Sequence, residues 1–262
     1  MHHVDVDKFR IAYRRMGQGP PLVLLHGGLS DSREWRRQLE ALSGDYEIVA
    51  WDAPGCGGSS DPPETLALQG YADALAGLVD ALGLGRAHVA GLSFGAGLAL
   101  ELYRRHRPIV RSLVLASAYA GWAGSLPSDV VEQRLRGVRR QADSPPDEVV
   151  AEWLPTLFGS SVAEDVVDEV ATIMRDFHPA GMRAMARAFA DADLRDVLPQ
   201  IDVPTLLLYG REDERAPRDV ALELHASIPT SRLVWLEDVG HQCNMEAPER
   251  FTAELREFLS GA

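Results

Sequence analysis

Val89-Ala90-Gly91-Leu92-Ser93-Phe94-Gly95-Ala96-Gly97 is the stretch on which the reading of this chain turns. The apolar run Ala87–Ala90 has the pattern of a short buried strand, and a helical stripe (Phe94, Leu98, Leu102) begins directly after it. Between them stands Gly91-x-Ser93-x-Gly95. A sharp strand-to-helix turn holds its serine in a strained backbone, so the residues two before and two after must be very small for the flanking chain to pass. Such a turn lifts the hydroxyl off the sheet and aims the new helix's unpaired N–H groups at whatever the hydroxyl attacks. A bare G-x-S-x-G also recurs by chance. Its meaning depends on whether a base and an acid follow in the right places.

Working outward, Leu22–Leu25 is an all-apolar strand that breaks into His26-Gly27-Gly28-Leu29-Ser30. Asp31 and Ser32 offer an N-cap to a helix striped by Trp35, Leu39 and Leu42. The strand Ile48–Trp51 runs into Asp52-Ala53-Pro54-Gly55-Cys56-Gly57-Gly58-Ser59, and a helix carrying Tyr71, Leu75, Leu78 and Leu82 stops at Gly83. Alternation around Val4–Asp7 and Phe9–Tyr13 predicts an opening hairpin. Downstream of Ser93, Leu113–Ala116 is another strand. Strand–helix alternation with short loops implies right-handed crossovers and an α/β fold with a mostly parallel central sheet covered on both faces.

That rhythm fails between Gly121 and Val197, where only helical stripes occur: Val131/Leu135/Val138, Val149/Trp153, Val162/Val166/Val170/Ile173 and Met182/Met185/Phe189. It resumes at Val203–Tyr209 and Arg232–Leu236, and a last amphipathic helix carries Phe251, Leu255, Phe258 and Leu259. The expected organisation is a core of residues 1–120 and 198–262 with a helical lid, or cap, over 121–197.

Composition narrows the function. Of 262 residues 46% are hydrophobic and 25% charged, ordinary for a soluble globular chain, and the net charge of −13 argues against a nucleic-acid partner. Cys56 and Cys243 make no disulfide framework, and no C-x-x-C or H-E-x-x-H metal spacing exists. No 18-residue apolar run is present and the first residues lack a basic and an apolar leader region, so the expectation is a cytoplasmic protein without membrane partners. Gly55-Cys56-Gly57-Gly58 lacks the Gly-Lys-Ser/Thr of a phosphate loop, and the glycines at 91, 95 and 97 do not match G-x-G-x-x-G. A nucleotide site is therefore not expected.

In an open parallel sheet, functional groups gather in loops at the carboxyl ends of strands. Ser93 lies there, as do Asp213 (in Tyr209-Gly210-Arg211-Glu212-Asp213-Glu214) and His241 (in Asp238-Val239-Gly240-His241). A serine hydroxyl is a poor nucleophile at neutral pH. It needs a histidine to take its proton and a carboxylate to fix the imidazole's tautomer and stabilise its charged form. The order Ser, Asp, His suits such a hydrolase. Glu212 and Glu214 are rival acids, and His26, His88, His106, His178 and His225 rival bases. Of these, His26 reads as orienting its own loop, His88 and His106 as structural, and His178 as a residue of the lid that could meet substrate. The oxyanion of acyl transfer needs two donors: the Phe94 N–H, and one from Gly28 or Leu29 beside it.

The ordered set Leu25-His26-Gly27-Gly28, Trp51-Asp52-x-Pro54-Gly55-x-Gly57-x-Ser59, Gly91-x-Ser93-x-Gly95, Gly210-x-x-Asp213-x-x-x-Pro217 and Gly240-His241-x-x-x-x-Glu246-x-Pro248 resembles the α/β-hydrolase superfamily. Within it the chain is similar to compact bacterial serine hydrolases with a lid: enol-lactonases, acyl-lactone hydrolases and small esterases. The resemblance implies a Ser93–Asp213–His241 triad, no cofactor, and a small ester or lactone substrate with an apolar acyl part. Serine at 93 separates it from dehalogenases and epoxide hydrolases, which carry aspartate there. Gln242-Cys243 stands where carbon–carbon bond hydrolases tend to have tryptophan. Other reactions on the same triad remain open: carbon–carbon cleavage, amide hydrolysis, perhydrolysis, or ligand binding with an idle triad. Trp122, Met182, Met185 and Phe189 are the expected pocket wall, and Arg183 or Arg187, if turned inward, would favour an acidic substrate.

Overall fold

Along each inner strand of the computed structural model, which describes residues 1–262, apolar side chains point alternately to the two faces of one sheet. Leu22 and Leu24 join Leu39, Leu42, Phe251 and Leu255 on one side; Val23 and Leu25 join Leu75, Leu78, Leu98 and Leu102 on the other. The strands are β1 (His2–Val6), β2 (Phe9–Met16), β3 (Pro21–Leu25), β4 (Glu47–Trp51), β5 (Ala87–Leu92), β6 (Val110–Ala116), β7 (Thr205–Gly210) and β8 (Ser231–Leu236). The helices are α1 (Arg36–Leu42), α2 (Leu68–Ala81), α3 (Phe94–His106), α4 (Ser128–Gln141), α5 (Pro146–Trp153), α6 (Glu164–Arg175), α7 (Pro179–Ala190), α8 (Arg218–Ser227), α9 (Cys243–Glu246) and α10 (Pro248–Ser260).

The sheet order is β1-β2-β4-β3-β5-β6-β7-β8. The β1–β2 and β2–β4 pairings are antiparallel and all others parallel. The chain winds from β3 outward to β4, then returns to place β5 on the other side of β3. This reversal opens a crevice at the carboxyl ends of β3 and β5, the place where doubly wound sheets bind ligands. Register makes it concrete: Leu25 pairs with Gly91, Leu92 with Ala116, Ala116 with Leu208, and Gly210 with Leu236. The loops carrying Gly28, Ser93, Ser117, Asp213 and His241 therefore share one rim.

Most stripes read from the sequence coincide with helices. Asp31 accepts the Arg33 N–H and caps a single 3-10 turn (Ser32–Trp35), so the helix expected there begins only at Arg36. The helices α8 and α9 carry no long apolar stripe and escape a periodicity reading. Between β6 and β7 the chain makes its excursion through α4, α5, α6 and α7. Val138, Val149, Val170, Met185 and Phe189 pack into the same apolar body as the α2–α3 face of the sheet. At one junction backbone meets backbone: a Cβ on Gly181 of α7 would overlap the Gly55 carbonyl oxygen. Glycine at both positions lets α7 rest directly on the loop after β4.

Candidate active site

Ser93 takes φ 52° and ψ −109°, a region costly to any residue with a Cβ. The turn survives because its neighbours over-determine it. A Cβ on Gly91 would run into the Gly95 backbone, and one on Gly95 into the Leu25 carbonyl oxygen. The Ser93 carbonyl accepts the N–H groups of Ala96 (3.1 Å) and Gly97 (3.1 Å), and the Ser93 N–H donates to Ala116 O (2.9 Å). The side chain makes no capping bond to the helix it opens and lines a small cavity of about 50 Å³.

His241 lines the same cavity. Its Nδ1 lies 3.0 Å and 2.9 Å from the two oxygens of Asp213, and both residues are buried. Asp213 also accepts the N–H groups of Arg215 (2.9 Å) and Ala216 (2.8 Å). Burial alone would raise the Asp213 pKa. The His241 charge, its hydrogen bond and the Ala216 N–H outweigh that and hold the carboxyl below its ordinary value. On the other side, the Ser117 hydroxyl donates to His241 O (2.9 Å), so the loop after β6 braces the histidine rather than supplying an acid. Glu212 turns away to accept the Ser160 N–H (2.6 Å), and Glu214 is exposed.

Two further backbone segments border this cavity. Phe94 opens α3, so its N–H has no partner within the helix. Gly28 lines the cavity too, whereas Leu29 (φ 57°) lines a separate crevice. The loop bearing Gly28 is pinned by His26: Nδ1 donates to Gly27 O (2.8 Å) and Nε2 accepts the Ala53 N–H (3.0 Å). Burial pulls the His26 pKa down, which keeps the ring neutral and this tautomer in place. From the far side the Gly27 N–H donates to Glu34 (3.2 Å), whose other oxygen accepts the Gln242 amide (3.3 Å).

The four residues expected to wall the pocket divide. Trp122 and Phe189 line the cavity with Ser93. Met182 and Met185 line the crevice shared with Leu29 and Cys56, where Met185 Sδ lies 3.3 Å from Cys56 Sγ. The reason is their position along α7. Phe189 reaches over Gly97 of α3, and one or two turns earlier the helix faces the loop after β4 instead. His178 pairs with Asp61 at the surface (2.7 Å). Arg183 pairs with Glu64 (2.5 Å) and Asp143 (3.0 Å), and Arg187 with Asp191 (3.7 Å), so both arginines are engaged outside the Ser93 cavity. In their place Arg134 of α4 and Arg215 line it, together with Tyr119, Trp153 and Leu157. Arg134 flanks the Val131/Leu135/Val138 stripe. Arg215 follows the acid by two residues, and that adjacency was the one hint the sequence offered.

No helix is long and apolar enough to cross a membrane, and no group of three or more His, Cys, Asp or Glu could hold a metal ion.

The fold recurs in known proteins. A malate-bound thermophilic esterase from Thermogutta terrifontis superposes with a TM-score of 0.93 at 29% identity, covering 100% of this chain and 99% of that one. The enol-lactonase from Burkholderia xenovorans LB400 superposes at 0.91 with 26% identity, over 99% of this chain and 100% of the other. Among curated sequences, the 2-hydroxy-6-oxononadienedioate/2-hydroxy-6-oxononatrienedioate hydrolase 2 of Pseudomonas putida is 30% identical over 95% of this chain and 91% of its own length. Residues 22–254 match the model of the alpha/beta hydrolase family, and the chain belongs to that family.

Proposed function

We propose that the protein hydrolyses a carboxylic ester or lactone through an acyl-enzyme on Ser93. The observation that carries this reading is one cavity lined by a strained, unengaged serine, a histidine clamped on a buried carboxylate, and the two backbone segments of Gly28 and Phe94. His241 Nε2 takes the Ser93 proton as Oγ attacks the carbonyl carbon. Asp213, held ionised, keeps the Nδ1–H tautomer and stabilises the imidazolium. The Phe94 and Gly28 N–H groups receive the oxyanion. His241 then protonates the leaving alkoxide, and water attacks the acyl-enzyme by the same route in reverse. The helices α4–α7 act as a lid whose inner side, Trp122 and Phe189 included, sizes the substrate, while the core performs the chemistry. Esterase and enol-lactonase relatives of the same shape support this choice among hydrolase reactions.

The test is a panel of p-nitrophenyl esters of rising chain length and several lactones, run with an alkyl fluorophosphonate. Turnover is expected, with the phosphonate attached at Ser93 alone. Ser93→Ala should keep the wild-type melting temperature and lose both turnover and labelling, leaving only the residue of rate that binding and the oxyanion site provide. Labelling of another serine, or turnover surviving in Ser93→Ala, overturns the assignment. A protein that binds such compounds without cleaving any is a receptor on this fold.

A further inference from the structure

In a chain with a net charge of −13, arginines of the helical excursion find carboxylates easily: Arg140, Arg175, Arg183 and Arg187 all have one within 4.0 Å. Arg134 and Arg215 do not. The two guanidiniums carry ten N–H groups between them. Only three have a protein acceptor: Arg134 to the Tyr119 hydroxyl (3.2 Å) and the Arg215 carbonyl (2.9 Å), and Arg215 to the Thr156 hydroxyl (2.8 Å). Both guanidiniums sit over aromatic rings, with Arg134 Cζ 5.7 Å from the Tyr119 ring centre and 5.6 Å from that of Trp122, and Arg215 Cζ 4.0 Å from that of Trp153. At 4.0 Å the Trp153 ring covers the face of Arg215 and leaves its N–H edge free, the geometry that receives a carboxylate. The one acid beside them, Asp213, already serves His241 and two backbone N–H groups. Burial, and in addition the Arg134 charge, pulls the Arg215 pKa down against the opposing effect of Tyr119 and Asp213: two like charges stand together here, and neither forms an ion pair.

Position completes the case. Trp122, Arg134, Trp153 and Arg215 border the cavity with Ser93 and also a groove open to the surface between α4 and α5. The only carboxylate bordering that groove, Glu152, is engaged with Arg140 and Gln141. We infer that Arg134 and Arg215 form an anion subsite at the mouth of the Ser93 cavity, and that the substrate is an ester or lactone carrying a free carboxylate. Its apolar stem lies against Leu157, Phe189 and Trp122, and its charged end meets the two guanidiniums. This deepens the ester-hydrolase reading and rests on it for the identity of the bond cleaved, not for the subsite.

Two matched pairs test the inference: mono-p-nitrophenyl glutarate against p-nitrophenyl valerate, and 4-acetoxybenzoate against its methyl ester. In parallel, glutarate is titrated calorimetrically into Ser93→Ala. The charged member of at least one pair should be favoured in kcat/KM by about ten- to a hundredfold, the range of one or two charge-assisted hydrogen bonds. The preference should shrink in 0.5 M salt and collapse toward unity in Arg134→Gln and in Arg215→Gln. Arg134→Lys should keep part of it, because a point charge replaces a fork. Where a Gln variant melts early, the wild-type salt dependence and the Lys variant decide. Equal turnover of charged and neutral esters, with no glutarate binding, overturns the subsite even if esters are cleaved. Arginine-dependent glutarate binding without cleavage of any ester upholds the subsite and overturns the hydrolase reading instead.

Discussion

Asp213 stands between two glutamates, and the three carboxylates differ in what they touch. Asp213 is buried under His241, Glu212 holds the Ser160 backbone, and Glu214 faces solvent. The chain turns at Arg211–Glu212 and bends over Glu214–Ala216, and of the three carboxylates only that of Asp213 reaches the imidazole. Asp213→Asn should preserve the geometry but remove the charge and permit the wrong histidine tautomer. The equivalent change in a serine protease of unrelated fold costs about 10⁴-fold in turnover, and a loss of that order is expected here. Glu214→Gln should cost less than about tenfold. Glu212→Gln should likewise cost less than about tenfold in kcat, with a modest loss of stability from the Ser160 contact. Steady-state kinetics on the three variants decides; similar losses at all three would mean that the loop acts through its summed charge.

Among the elements, α7 shows how far sequence alone reaches. Its helical stripe was plain, because Met182, Met185 and Phe189 recur at helical spacing whatever the helix packs against. Which of them would meet Ser93 was not, since they share one face and that depends on where along its length the helix crosses the site. Backbone contact at Gly55–Gly181 and the seating of Phe189 over Gly97 set that placement, and each joins residues far apart in the chain. The same holds for Arg134, whose inward direction is fixed only when α4 meets Tyr119 and the loop after β7. The strand–helix alternation, the Ser93 turn and the loops bearing Asp213 and His241 were legible because short-range rules produce them. Phe189 now has a sharper role. Its ring packs against Phe94 (5.5 Å), Tyr119 (5.9 Å) and Trp122 (5.8 Å) and is 3% exposed. Phe189→Ala should cost about 3–5 kcal/mol of stability and also enlarge the cavity. The enlarged space should favour longer acyl chains by roughly fourfold in kcat/KM per added carbon, at about 0.8 kcal/mol per methylene. Met185→Ala should lower the melting temperature and leave the chain-length ranking unchanged. An ester series on both variants tells them apart, and an unchanged ranking in Phe189→Ala would show that its ring only holds α7 down.

At the scale of the molecule, one buried carboxyl ties the parts together. Glu34 accepts the Gly27 N–H from the loop after β3 and the Gln242 amide beside His241, while its own carbonyl accepts Asn244 Nδ2 (3.2 Å). The Gln242 N–H in turn donates to Leu157 O (2.9 Å) in the helical excursion. Burial, only partly offset by its hydrogen-bond partners, raises the Glu34 pKa to about 8. The folded protein therefore keeps a proton that the unfolded chain releases at an ordinary glutamate pKa near about 4.3. Between that value and about 8 the unfolded state binds fewer protons than the native one, so this group's contribution to stability is full in acid and is lost as pH rises through the window. Glu34→Gln abolishes the titration while keeping the shape. At pH 5 the variant should be equal to or slightly less stable than wild type, because one acceptor has become a donor. By pH 8.5 the difference should have moved in the variant's favour by about 1–3 kcal/mol, or several degrees in melting temperature for a chain of this size. The quantity to measure is the change in that difference between the two pH values, which cancels the fixed cost of the lost acceptor. Parallel melting profiles from pH 5 to pH 8.5 would mean that Glu34 is already ionised in the native state and that its bridge from Gly27 to Gln242 is a charged one.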